Sequence, residues 1–83
     1  MRIFTEQPLK EYIEGHPEAK TALQEWASIV KNSSWSSFEE MKSCFADVSR
    51  MGDRQYAFTF PDKRRLVVVI QFPIQLICIK LIN

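Results

Sequence analysis

The stretch PDKRRLVVVIQF, residues 61–72, sets three consecutive cations against five aliphatic residues. Pro61 and Asp62 favour a tight turn, and Leu66 to Ile70 is a β-forming run about one strand long. Upstream, RQYAFTF alternates Tyr56, Phe58 and Phe60 against Gln55, Ala57 and Thr59, the period of a half-buried strand. The two runs therefore read as a hairpin about PDK, and IQLICIKLI after Pro73 reads as a third strand. Side chains alternate along a strand, so Arg65 shares one face with Val67, Val69 and Gln71. Arg64 shares the other with Leu66, Val68 and Ile70. The same period puts Lys80 with Leu76 and Cys78, opposite Ile77, Ile79 and Leu81. An unpaired ammonium is costly to bury, so Lys80 is expected at solvent or on a surface that no helix covers. If Arg65 shares that surface, the two cations line one groove.

Working back toward the N-terminus, MRIF suits a short first strand. Thr5 stands where an N-cap belongs, with Glu6 and Pro8 in the first turn after it. Leu9, Tyr12, Ile13 and His16 recur at helical spacing, and Gly15 before His16-Pro17 supplies a stop. A second helix starts near Pro17, with Ala19, Ala22, Leu23, Trp26, Ile29 and Val30 on one stripe. Ser36 or Ser37 can cap a third, short helix through FEEMKSCF, whose glutamates sit in its first turn. SRMGD reads as a turn. The order β-α-α-(α)-β-β-β predicts an α+β fold, with two to three N-terminal helices packed on one face of a small antiparallel sheet.

Eighty-three residues make one domain, residues 1–83, with a single core. The chain is 46% hydrophobic and 25% charged, which is too apolar for disorder, and its two glycines argue against a flexible linker. The net charge of +1 hides an asymmetry. Residues 1–49 carry five basic and eight acidic side chains, whereas residues 50–83 carry six basic and two acidic. A basic half of this kind points to an anionic partner, phosphate being the commonest. Cys44 and Cys78 lack metal-ligand spacing and read as two reduced, buried thiols of a cytosolic protein. The opening MRIFTEQPLK has no apolar stretch long enough for a signal peptide. Gln71, Pro73, Gln75 and Lys80 break the apolar run from Leu66 to Ile82, so no membrane span is expected and the location is expected to be cytoplasmic.

The order of these segments resembles the HigB-type toxins of bacterial type II toxin–antitoxin modules, within the RelE-like superfamily. The opening matches the family's short strand followed by L-x-x-(aromatic)-x-x-x-H-P-x-A, then A-L-x-x-W and W-x-(S/N)-F-x-E-(I/M)-K. Trp26, Trp35, Phe38 and Lys42 fall in step with it. FTFPDKRRLVVVIQF corresponds to the family's F-N-I-K-G-N-K-Y-R-L-V-V, with Arg65, Leu66 and Val67 in register. LICIKLI stands where the family has V-x-I-R-F-V, so Lys80 replaces the usual arginine. Family members usually continue into G-T-H-x-E-Y-D, a segment that does not occur in these 83 residues.

The resemblance implies a RelE-like fold and a ribosome-dependent mRNA endoribonuclease that uses no metal or small-molecule cofactor. In such a reaction the ribose 2′-OH gives up its proton and attacks the adjacent phosphate, and the P–O5′ bond breaks as the leaving 5′-oxygen takes up a proton. Arg65, with Lys63 and Lys80, would carry the catalysis, an arginine fork being suited to the charge that develops on phosphorus. Lys63 could act as a base only if neighbouring cations and burial lowered its pKa. Arg64, Arg54 and Arg50 would bind RNA phosphates. The partners implied are mRNA on the ribosome and a cognate helix-turn-helix, HigA-like antitoxin. Apart from the resemblance, residues 63–65 read as a solvated hairpin end, and Lys80 as a charge that discourages sheet aggregation. Arg50 and Arg54 then read as turn charges. Trp26 and Trp35 read as core, while Tyr56 and Phe58 could be core or could stack bases. The alternative function is a catalytically attenuated relative that binds RNA, ribosome or antitoxin without cleaving.

Overall fold

A computed structural model describes residues 1–4 and 6–82. Strand β1, Arg2–Ile3, is followed by helix α1, Gln7–Gly15, and a single 3-10 turn at Pro17–Ala19. Helices α2, Lys20–Lys31, and α3, Phe38–Cys44, come next. Strands β2, Val48–Gly52, β3, Gln55–Thr59, β4, Arg65–Gln71, and β5, Leu76–Ile82, complete the chain, with a 3-10 turn at Phe72–Ile74 before β5. The five strands form one sheet in the order β1-β5-β4-β3-β2.

Helix α1 stops at Gly15, as its sequence predicts, and the His16 amide caps it by donating to the Ile13 carbonyl. Thr5, expected to cap α1, lies outside the described residues, and Glu6 occupies the cap position without a side-chain capping bond, its carboxylate pairing instead with Lys31. Ser37 caps α3 through the Glu40 amide at 3.3 Å, and the Glu40 carboxylate in turn accepts from the Ser36 amide. This reciprocal arrangement satisfies two donors that a short helix would otherwise leave unpaired.

Three of the four strand pairings are antiparallel, and β1 runs parallel to β5. The parallel edge arises because β1 leads into the helical layer rather than into a hairpin. Strand β2 covers most of the segment that the sequence suggested was a turn. Of its five residues only Val48 is buried, so its side chains carry no alternating apolar signal, and pairing to β3 makes the strand. The turn proper is Asp53-Arg54, with Arg54 in the left-handed region at φ 64°.

The helices cover one face of the sheet. Leu66, Val68 and Ile70 of β4 are fully buried there, with Phe58 of β3 and Ile77 of β5. Trp26 of α2 meets Phe58 edge-on at 5.4 Å, and Phe38 of α3 stacks on Tyr56 at 5.4 Å. Trp26 and Trp35 are therefore core residues, and Tyr56 and Phe58 lie on the helix side. Ile29, placed on the apolar stripe of α2 from its spacing, is 42% exposed. It borders a groove shared with Phe45 and Phe60.

The β3–β4 hairpin closes through Pro61, Asp62 and Lys63. The Lys63 amide donates to the Phe60 carbonyl, and the Phe60 amide to the Arg64 carbonyl. Lys63 has φ 72°, the left-handed position that glycine usually takes in a three-residue hairpin loop. Lys63→Gly should stabilise the fold by roughly 0.5–1 kcal/mol, the strain relieved less the added chain entropy. Chemical denaturation of the two proteins checks this.

Candidate nucleic-acid interface

The face of the sheet away from the helices carries a different chemistry. From Lys63 to Asn83 there is no acidic residue. Arg65 begins β4, is exposed, and pairs across to Thr59. Behind it on the same face, Val67, Val69 and Gln71 are half-buried, which is what neighbouring strands achieve without a covering layer.

Strand β5 contains a bulge. Val68 faces Ile79 and Val67 faces Leu81, so Lys80 is the extra residue between them. A bulge shifts the alternation by one. It moves Leu81, expected opposite Lys80, onto the face of Val67, where it is 51% exposed. Lys80 is itself exposed at the bulge. Strand spacing and rise place the Arg65 and Lys80 Cα atoms roughly 10 Å apart on adjacent strands. Neither side chain forms an ion pair among the described residues. Two unpaired cations at that separation can hold one phosphate or two successive ones.

Arg64 points the other way, and each of its three guanidinium nitrogens donates a hydrogen bond. Its Nε donates to the Tyr12 hydroxyl at 2.8 Å, Nη1 to Asp62 at 2.5 Å and Nη2 to Glu18 at 2.8 Å. Its guanidinium also lies 5.6 Å from the Tyr12 ring centroid, a cation–π contact. The Tyr12 hydrogen bond, then the charges of Asp62 and Glu18, raise its pKa above the ordinary arginine value despite some desolvation. Arg64 was expected to bind RNA phosphate; in the fold one N–H on each of its nitrogens goes instead to a phenol and two carboxylates, which leaves it less open to phosphate than Arg65. It clamps the hairpin to α1 and the turn after it. Arg64→Lys, which cannot make three divergent bonds at once, should lower Tm, and a thermal scan tests this.

The remaining candidates fall in separate places. Lys63 is exposed in the hairpin turn, so the burial that a general-base role calls for is absent. Arg50 and Arg54 lie at the β2–β3 turn, toward the other end of the sheet. His16 stacks on Tyr12 with ring centroids 4.1 Å apart, on the helical side. Arg2 was missed: it is exposed and pairs with Leu76, which puts a third cation on the helix-free face. Alternation in MRIF, with Ile3 turned inward, was the signal that could have found it. The cysteines also differ from expectation, since Cys44 is exposed at the end of α3 and Cys78 is only half-buried on the open face.

Comparison with known families bears on this geometry. A family model, HigB_toxin, described as the RelE-like toxic component of a toxin–antitoxin system, matches residues 19–83. The chain belongs to the HigB toxin family. A search of curated proteins matched none of them. As a HigB-family toxin the chain has an antitoxin for a partner, and its α+β architecture is consistent with the RelE-like fold. No helix among the described residues of this toxin is long and apolar enough to cross a membrane.

Proposed function

We propose that this HigB-family toxin is an mRNA endoribonuclease acting at the ribosome, in the cytoplasm. The observation that carries the reading is the pair of exposed cations, Arg65 and Lys80, on adjacent strands, neither in an ion pair among the described residues. A sugar–phosphate backbone laid across β4 and β5 meets no acidic side chain there among the described residues. Arg65 offers a planar fork to the equatorial oxygens of the phosphorane as the 2′-OH attacks, and Lys80 adds a compact charge beside it. Lys63, two residues before Arg65, contacts the approaching strand from the turn. Arg2 extends the positive surface. The half-buried valines between these charges give riboses and bases an apolar floor. The antitoxin partner is proposed to be a helix-turn-helix, HigA-like protein.

Induced expression in bacteria tests the proposal. Growth arrest with cleaved transcripts is the expected result. Arrest with intact transcripts would overturn the ribonuclease reading and favour a toxin that blocks translation by binding alone. Binding of the purified chain to single-stranded RNA should weaken steeply as salt rises, since each neutralised phosphate contributes a slope of about −0.7 in log K against log salt. Lys80→Ala should reduce that slope by about one contact's worth. An unchanged slope would remove Lys80 from the interface.

A further inference from the structure

A pocket of about 260 Å³ lies between the β2–β3 turn and the 3-10 turn at residues 72–74, and is lined by Arg50, Asp53, Arg54, Tyr56, Gln71 and Phe72 among others. It sits at the opposite end of β4 from Arg65, roughly 20 Å away along the strand. The two sites cannot share a phosphate.

Several observations make this pocket more than a surface dimple. Tyr56 is only 5% exposed as a residue, but its hydroxyl is not among the buried unpartnered atoms and forms no hydrogen bond among the described residues, so its oxygen opens to the pocket side. An accessible phenol bonded to no protein group can donate to or accept from a ligand in place of water. The Tyr56 ring is backed by Phe38 and meets Phe72 edge-on at 6.0 Å with an 80° angle, which makes a rigid aromatic corner. Arg54 is held by its turn, whose backbone carbonyl accepts from the Ile70 amide at 2.9 Å. Neither Arg50, Arg54 nor Asp53 belongs to an ion pair among the described residues. The only polar contact of the Arg50 side chain among those residues is a long one, 3.5 Å from Nε to the Gly52 carbonyl.

We propose that this pocket binds a guanine nucleotide. The partly exposed Phe72 ring, braced by Tyr56, takes one base, for which the volume suffices, and stacking there is indifferent to sequence. Arg50 and Arg54 take the phosphate, a match for two uncommitted guanidinium groups on one rim. Asp53 supplies the discrimination. A carboxylate presents two acceptors side by side, and among the four RNA bases only guanine offers two adjacent N–H donors on its pairing edge. The Tyr56 hydroxyl and the Gln71 amide complete the polar rim. The pocket does not rest on the ribonuclease reading, because a free mononucleotide is sufficient to occupy it.

The test is a titration of the full chain, followed by amide chemical shifts, with 5′-GMP, 5′-AMP, guanosine and inorganic phosphate as separate probes. GMP is expected to shift residues around Arg54, Tyr56 and Gln71, and to bind at least tenfold more tightly than AMP or phosphate. Arg54→Asn keeps a residue that tolerates the left-handed turn, and with Arg50→Gln it should weaken GMP tenfold or more. Asp53→Asn should erase the preference for GMP over AMP. Arg65→Ala, at the other site, should leave the GMP shifts in place. Equal affinity for GMP and phosphate would show an anion site only and overturn the proposal, as would equal binding of GMP and AMP. An acidic peptide that shifts these residues where GMP does not would also overturn it. Loss of GMP binding in Arg65→Ala but not in the Arg50/Arg54 variants would place the nucleotide on the open face instead. None of these outcomes bears on growth arrest, so the two proposals fail separately.

Discussion

Replacing Arg65 with alanine is expected to abolish growth arrest on induction while leaving the protein folded. The side chain is exposed at the start of β4 and forms no ion pair among the described residues, so its loss should alter stability by only about 0.5 kcal/mol. A lost contact to the transition state is far more costly, on the order of 10²–10³ in rate. Because the two effects differ so widely in size, folding and catalysis can be read apart. Circular dichroism and a thermal scan should give the parent's values, and primer extension on cellular transcripts should show cleavage collapsing. Arg65→Lys keeps the charge but removes the fork, and should recover only a small part of the activity. A folded Arg65→Ala protein that arrests growth as fast as the parent would remove Arg65 from the reaction.

The second large effect is on the core. Trp26 is 1% exposed and packs edge-on against Phe58. Trp26→Ala should cost about 3–5 kcal/mol, a large part of the roughly 5–15 kcal/mol typical of a domain. The indole carries a further feature, since its Nε1 is buried without a hydrogen-bond partner among the described residues. An unsatisfied buried donor costs about 1–3 kcal/mol. Trp26→Phe deletes that donor while keeping an aromatic ring against Phe58, so its loss of stability should be much smaller than that of Trp26→Ala. Urea unfolding of both variants decides this. If phenylalanine proves as damaging as alanine, the indole donor has a partner and the orphaned group is not a burden on the fold.

The hairpin from Gln55 to Gln71 and the capped α3 were legible in the sequence because their signals are local. Alternation of Tyr56 and Phe58, the turn residues Pro61 and Asp62, and the serine before FEE each act within a few positions. Strand β2 was not legible, because an edge strand with exposed side chains has no apolar period to read. The candidate site was legible in part. Period-2 geometry separated Arg65 from Arg64 along β4, but it could not anticipate the bulge at Lys80, which depends on how β5 meets β4. Arg64 shows the same limit in another form. In sequence it is one of three equivalent cations, and only the approach of Tyr12 and Glu18, from more than forty residues away, commits its donors.

Periodicity and composition alone establish the class of the fold and the sign of its business end: helices first, strands last, and no carboxylate side chain after Asp62. Both are short-range properties, readable without knowing what packs where. Which cations remain available is a matter of the folded chain. Folding turned Arg64 into a clamp, brought Arg65 and Arg2 to one uncovered face with Lys80 exposed at the bulge of β5, and gathered Arg50 and Arg54 beside Tyr56 at the far end. The physical reason is that a charge is free or committed according to what folds against it, and those neighbours are distant in the chain.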